Sequence, residues 1–176
     1  MLRILMAALA ACLLASPALA QTPFTDGMTQ SSKTPANASH AAGTSVGGLF
    51  TLPMSGFRGE LRNFYLRSTG GSTGSYVVRI WARQPTASTC TDNVAFAGST
   101  TDDALLLTAP FTVTPAAPAS TTGDASTYAV QAGLALDFLN KDVPQAGSLY
   151  VCLVTVATDT ADQNNVVVVS VSGLIF

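Results

Sequence analysis

From Val46 onward the chain is a succession of short apolar runs, each broken after a few residues by Gly, Ser, Thr, Pro, Asp or Asn. That texture rules out long amphipathic helices, because a helix needs an apolar residue every three or four positions over ten or more residues. It fits strands, whose side chains alternate between two faces and whose ends are marked by turn formers. The runs predict strands at 48–52, 60–68, 75–83, 104–114, 128–138, 149–157 and 166–175. Val130, Leu134 and Phe138 stand four apart, as on a helix, but Gly133 interrupts them and a strand is the better reading. A chain of 176 residues holds one domain with a sizeable core. The expected fold is therefore all-β, a single antiparallel β-sandwich of about seven or eight strands, jelly-roll or immunoglobulin-like.

The densest strand signal is Ser-Tyr-Val-Val-Arg-Ile-Trp-Ala-Arg, residues 75–83. Tyr76, Val78, Ile80 and Ala82 share one face, the core face. Val77, Arg79, Trp81 and Arg83 share the other, where an indole between two guanidiniums suits a cation–π cluster at an exposed site. Pro85 ends the strand by removing a backbone donor. Gly70-Gly71-Ser72-Thr73-Gly74 lies between the second and third predicted strands and reads as a hairpin turn. Such a hairpin would gather Arg58, Arg62, Arg67, Arg79 and Arg83 into one positive stripe, with Glu60 as its single acid; the plainer alternative is the solvated face of two strands.

The first 20 residues have the form of an export signal: Arg3, an apolar stretch over 4–14, and Ala18-Leu19-Ala20 as a small-x-small cleavage site. Leu9-Ala10-Ala11-Cys12 also matches a lipoprotein cleavage site that would leave Cys12 lipidated, and both readings stay open. Residues 21–42 are rich in Ser, Thr, Ala, Pro and Asn without apolar periodicity and predict a flexible arm ahead of a sandwich at 43–176. No later stretch reaches the roughly 18 to 20 continuous apolar residues of a membrane-spanning helix. Without the signal, Lys33, Lys141 and the five arginines face ten Asp and Glu. That mild acidity argues against general nucleic-acid binding, which needs a basic surface.

Removing the signal also leaves two cysteines, Cys90 and Cys152. An even pair in an exported chain predicts a disulfide, worth roughly 3–5 kcal/mol on chain-entropy grounds; two free thiols, one of them reactive, are the alternative.

Catalytic signals are sparse. His40 is the single histidine and falls in the arm, so a Ser/His/Asp triad has no base near the sandwich. Asp102 and Asp103 are adjacent, which would point them to opposite faces of a strand, and acids capping a turn are the plainer reading. Asp92, Asp102, Asp103, Asp159 and Asp162, with Asn93, could gather at one end of a sandwich around calcium, but no spaced calcium loop is present. Zinc lacks ligands, no phosphate loop occurs, and no cofactor is expected.

The order of segments carries one resemblance. Residues 41–52 (AAGTSVGGLFTL), the long run LRNFYLRSTGGSTGSYVVRIWARQPTASTCTDNVAF, then DDALLL and GSLYVCLVTVAT together resemble a group of tailed-phage virion structural proteins. The resemblance spans about 41–176 and is most specific from Trp81 to Phe96. It implies a β-sandwich without catalytic residues, working in a particle or related assembly through self-association or docking on other structural proteins. Two departures are the export signal and the Cys90/Cys152 pair, both odd for assembly in a reducing cytoplasm. They point instead to a periplasmic, cell-surface or extracellular relative. The alternative is a secreted adhesive or carbohydrate-binding module, with Trp81, Tyr65 and Tyr76 as stacking aromatics for glycans and the arginines beside them.

Overall fold

The computed structural model describes residues 22–23, 29–36, 38–54, 58–117, 126–139, 147–159 and 165–175. The export signal, Cys12, Lys141 and Asp162 lie outside the described residues. The order along the chain is β1 (Thr22–Pro23), β2 (Thr29–Lys33), β3 (Phe50–Pro53), β4 (Arg58–Ser68), β5 (Tyr76–Trp81), a single helical turn α1 (Thr100–Asp103), β6 (Phe111–Val113), β7 (Thr127–Gln131), β8 (Leu136–Leu139), β9 (Ser148–Thr155) and β10 (Val167–Ile175).

Two antiparallel sheets face each other. The larger runs β1-β10-β4-β7, with β2 beside β10 and β8 beside β4; the smaller runs β3-β9-β5-β6. Counting β1 with β2 and β7 with β8 as single positions, the chain crosses between sheets at each step except β5 to β6, and its first strand position lies beside its last. This is the jelly-roll arrangement of an all-β sandwich. The core between the sheets holds Phe50, Leu52, Phe64, Leu66, Tyr76, Val78, Ile80, Leu149, Val151, Leu153, Val169 and Val171, all buried.

Four sequence expectations change. Residues 60–68 and 75–83 do not form a hairpin: β4 belongs to the larger sheet and β5 to the smaller. The glycine-rich segment between them crosses the sandwich, tied by the Ser72 hydroxyl to Tyr76 at 2.6 Å and to Asp159 at 2.6 Å. Those buried polar contacts, invisible in the sequence, override the turn signal.

Residues 104–114 are not one strand. Ser99 caps α1 by accepting from the Thr101 N–H, and the strand begins only at Phe111, after Pro110. Leu105 and Leu106 instead cover a second apolar cluster.

Residues 128–138 break into β7 and β8 where Gly133 (φ 70°) and Ala135 (φ 46°) take left-handed backbone. The break faces a bulge in β4, where Asn63 pairs with Ser172 and Leu61 with Gly173, leaving Arg62 as the extra residue. The Leu134 N–H reaches the Arg62 carbonyl at 2.9 Å, so bulge and break complete each other. The bulge also explains why Leu61 and Phe64, three apart, both enter the core.

Within the expected arm, Thr22–Pro23 and Thr29–Lys33 pair with β10. These two segments of residues 21–42 are therefore sheet edge rather than free linker. No helix among the described residues is long and apolar enough to cross a membrane.

Candidate functional site

The central strands of the smaller sheet, β9 and β5, are covered on both faces, whereas the edge strands β3 and β6 expose Thr51, Pro53 and Thr112. The outward side chains Trp81, Tyr150, Cys152 and Val154 of the central pair form the second apolar cluster, roofed by Leu49, Phe96, Leu105 and Leu106. Apart from Leu49, just before β3, the roof is the excursion of residues 82–110 between β5 and β6. Cys90 and Cys152 are disulfide-bonded with Cα atoms 6.1 Å apart, stapling the excursion to β9. A disulfide whose Cys152 is buried places the folded chain in an oxidising, exported environment.

Trp81, expected at an exposed cation–π site, is 0% exposed, and its indole N–H donates to the Asp102 carbonyl at 3.0 Å. Arg79 does meet an aromatic, but the partner is Phe96, 4.6 Å from the guanidinium carbon, and its Nη1 donates to Asp103 Oδ1 at 3.0 Å. Arg83 is exposed just beyond β5. Arg62 is exposed on the larger sheet and paired with Glu60 at 3.2 Å. Arg67 lies on that same sheet, its guanidinium 5.7 Å from the Tyr128 ring and donating to the Ser126 hydroxyl at 3.2 Å. The five arginines form no single stripe, since β4 and β5 sit in opposite sheets. Tyr76 is a core residue, not a stacking platform; its hydroxyl donates to Asp159 Oδ2.

The acids divide among separate sets of donors. Asp102 is 1% exposed and accepts from the N–H groups of Thr86 (3.2 Å), Ala87 (2.9 Å) and Ser88 (2.5 Å). Burial works to raise its carboxyl, but those amides and the Ser88 hydroxyl outweigh it and hold the group below the ordinary 3.8. Asp92 follows the same rule. Burial opposes ionisation, and donors from the Ala36 N–H, the His40 ring and the Gly47 N–H lower its carboxyl below 3.8. Because an ionised carboxylate only accepts, His40 Nε2 carries the proton in its 3.0 Å bond to Asp92 Oδ1.

His40 is 0% exposed, not part of a loose arm, and two backbone bonds of 2.8 Å join it to Asp159. Asp103 serves Arg79, and Asp159 serves Ser72 and Tyr76. Among the described residues no group of three or more His, Cys, Asp or Glu is placed to hold a metal ion. Asp92, Asp102, Asp103 and Asp159, weighed as calcium ligands, thus bind separate donors, and Asp162 lies outside the described residues.

Asp102 carries a pH prediction. A folded carboxyl below its unfolded value adds stability that is fully present above the unfolded value, near 3.8, and is lost as pH falls through the lower folded one. Asp102→Asn should cost about 1–3 kcal/mol at neutral pH, because an amide satisfies fewer of the three N–H donors. It should also flatten the loss of stability below about pH 4. Urea midpoints at pH 7 and pH 3 check both; an equally steep acid loss in the variant would refute the assignment.

The outer face of the larger sheet is different in kind. Cross-strand registers set two rows on it: Ser32, Val168, Arg67 and Tyr128, and beside them Gln30, Ser170, Tyr65 and Val130. They line an open groove of about 500 Å³, with Val166 at one end. Tyr128 is 39% and Val130 59% exposed, large apolar side chains that the inward placement of Ala129 forces outward. Of this face the sequence pattern singles out Arg67 and Tyr65 and passes over Tyr128, Val130, Gln30 and Ser32. The alternation in Thr-Tyr-Ala-Val-Gln places Tyr128 and Val130 together, but it is silent on which face looks outward. The groove has the aromatic, guanidinium and hydroxyl chemistry of a binding surface and no nucleophile paired with a base.

No family model matches the chain, and no curated protein matches it. The likeness to tailed-phage virion proteins therefore rests on the sequence pattern alone.

Proposed function

We propose that this is an exported, non-catalytic assembly protein, a jelly-roll sandwich of virion-like type that works by binding other structural protein, its own copies included. The observation that carries this reading is the groove face, where Tyr128, Val130 and Val166 stand exposed on one side of the larger sheet. Exposed apolar side chains gathered on one face mark association surfaces. The acids that would otherwise suggest chemistry are committed to framework bonds, which supports a passive role. The fold alone does not decide function, because jelly rolls host many.

Light scattering over a concentration series tests the proposal, and oligomers are expected. Val130→Asp should weaken association by about tenfold or more, since burying a valine is worth about 1.5–3 kcal/mol, with no change in melting temperature. A protein that stays monomeric at high concentration and docks on no assembly would sink the reading.

The same groove favours one second reading, a glycan site. Tyr65 and Tyr128 offer ring faces, and Arg67, Gln30 and Ser32 offer hydrogen bonds. Binding on a glycan array that Tyr128→Ala abolishes would favour that reading over assembly.

A further inference from the structure

β2 is held differently from the strands around it. It reads Thr-Gln-Ser-Ser-Lys, polar throughout, and Gln30 to Lys33 stand outside the apolar core. Its partner β10 presents Val167, Val168, Val169 and Val171 in the paired register. β2 is thus fastened by its main-chain ladder to β10 and by its approach to β3, where the Lys33 stem lies against Gly47, and all of these contacts are satisfied equally by an identical strand from another molecule. Strands polar on both faces specify their pairing weakly and are prone to swapping, whereas a valine-rich edge left uncovered is a template for another chain.

The junction on the body side is firm. The Ala36 N–H donates to Asp92 Oδ2 at 2.5 Å, and His40 is tied through its backbone to Asp159. Any change of direction is therefore confined to Thr34 and Pro35, and proline before the anchor favours an extended exit over a tight return.

Resting on the assembly reading above, we infer that β2 is an exchangeable strand: in the assembled protein, residues 29–33 of one copy lie along β10 of a second copy, in the register Ser32 to Val168. The occupant is a second copy because exchange remakes every ladder bond of the single chain and requires no new surface. Gln30 and Ser32 also form one wall of the groove, so the copy that lends β2 is brought to the exposed face.

Two single variants of the full chain, Ser32→Cys and Val168→Cys, test this when refolded together at high concentration under mild oxidation. Paired strand positions hold cysteine Cα atoms within disulfide reach, so heterodimer should exceed that from a Ser32→Cys and Thr112→Cys mixture by at least about tenfold. Thr112 lies on β6, in the other sheet. Equal yields from the two mixtures would overturn the exchange. Oligomers in light scattering whose Ser32→Cys/Val168→Cys double variant closes only within single chains would also overturn it, while leaving assembly by another surface intact. A strict monomer would overturn both the exchange and the assembly reading.

Discussion

Reducing the Cys90–Cys152 bond is expected to cost the folded protein about 3–5 kcal/mol, because the bond closes a separation of 62 residues and removes that loop's freedom from the unfolded chain. Measured stabilities of whole domains are about 5–15 kcal/mol, so the loss brings the sandwich near its threshold. The effect has a local part as well. The bond fastens the 82–110 excursion to β9, and the N–H of Phe96, bonded to the Gly43 carbonyl at 2.9 Å, reports on that attachment. On reduction this amide should exchange with solvent much faster than amides of β4 and β10 in the other sheet. Urea unfolding with and without reductant, followed by hydrogen exchange, checks both parts. Coincident unfolding curves would show that the excursion holds itself in place without the bond.

Trp81→Ala is expected to cost about 3–5 kcal/mol, the range for deleting a large buried aromatic. The indole fills the space between β9 and the excursion, against Tyr150, Leu105 and Leu106. Its removal leaves a cavity and takes one donor from the Asp102 carbonyl, which keeps the Leu105 N–H at 2.9 Å. Trp81→Phe keeps most of the volume and loses the hydrogen bond, so its cost should be about 1–2 kcal/mol. Circular dichroism during thermal melting gives the comparison, since the chain's one tryptophan is the residue being replaced. Association or glycan binding per folded molecule should not change in either variant. If Trp81→Ala abolished binding while the melt stayed in place, the indole would be a ligand contact and its burial would have no bearing on stability.

Trp81 also shows how far the linear pattern reaches. Its alternation with Arg79 on the face opposite Ile80 is correct, but the expected meeting of the Arg79 guanidinium with the Trp81 indole is not: Arg79 meets Phe96. What the pattern misses is the roof. Residues 82–110 fold back over that face, turning an outward tryptophan into a buried one and giving Arg79 to Phe96 and Asp103. Nothing local in the sequence specifies this return, which depends on a bond between residues 62 positions apart and on amides at 86–88 converging on Asp102. The apolar run that starts at Ala104 misleads for the same reason: a run buried under a roof and one buried in a strand have the same composition.

The larger sheet shows the opposite balance. β4 and β10 are long and valine- or leucine-rich, and their positions are legible within a residue or two. The bulge at Arg62 is not, because it shifts the two-residue period by one and has its reason in the break between β7 and β8 across the ladder. The groove is legible only in fragments: Tyr65 and Arg67 share a face by alternation, while Tyr128, Val130, Gln30 and Ser32 come from strands distant in the chain that only pairing brings alongside.

By itself the sequence determined the class of structure, the limits of the long strands β4 and β10 and the core face of β5, since each follows from the chemistry of neighbouring residues, and it favoured the pairing of two cysteines. Tertiary structure alone decided which strands share a sheet, that the indole is buried, that Asp92, Asp102, Asp103 and Asp159 are spent on framework donors, and that among the described residues Tyr128 and Val130 stand exposed on one face of the larger sheet. Those outcomes depend on contacts between residues far apart in the chain, and strand periodicity, a strictly local quantity, carries no record of them.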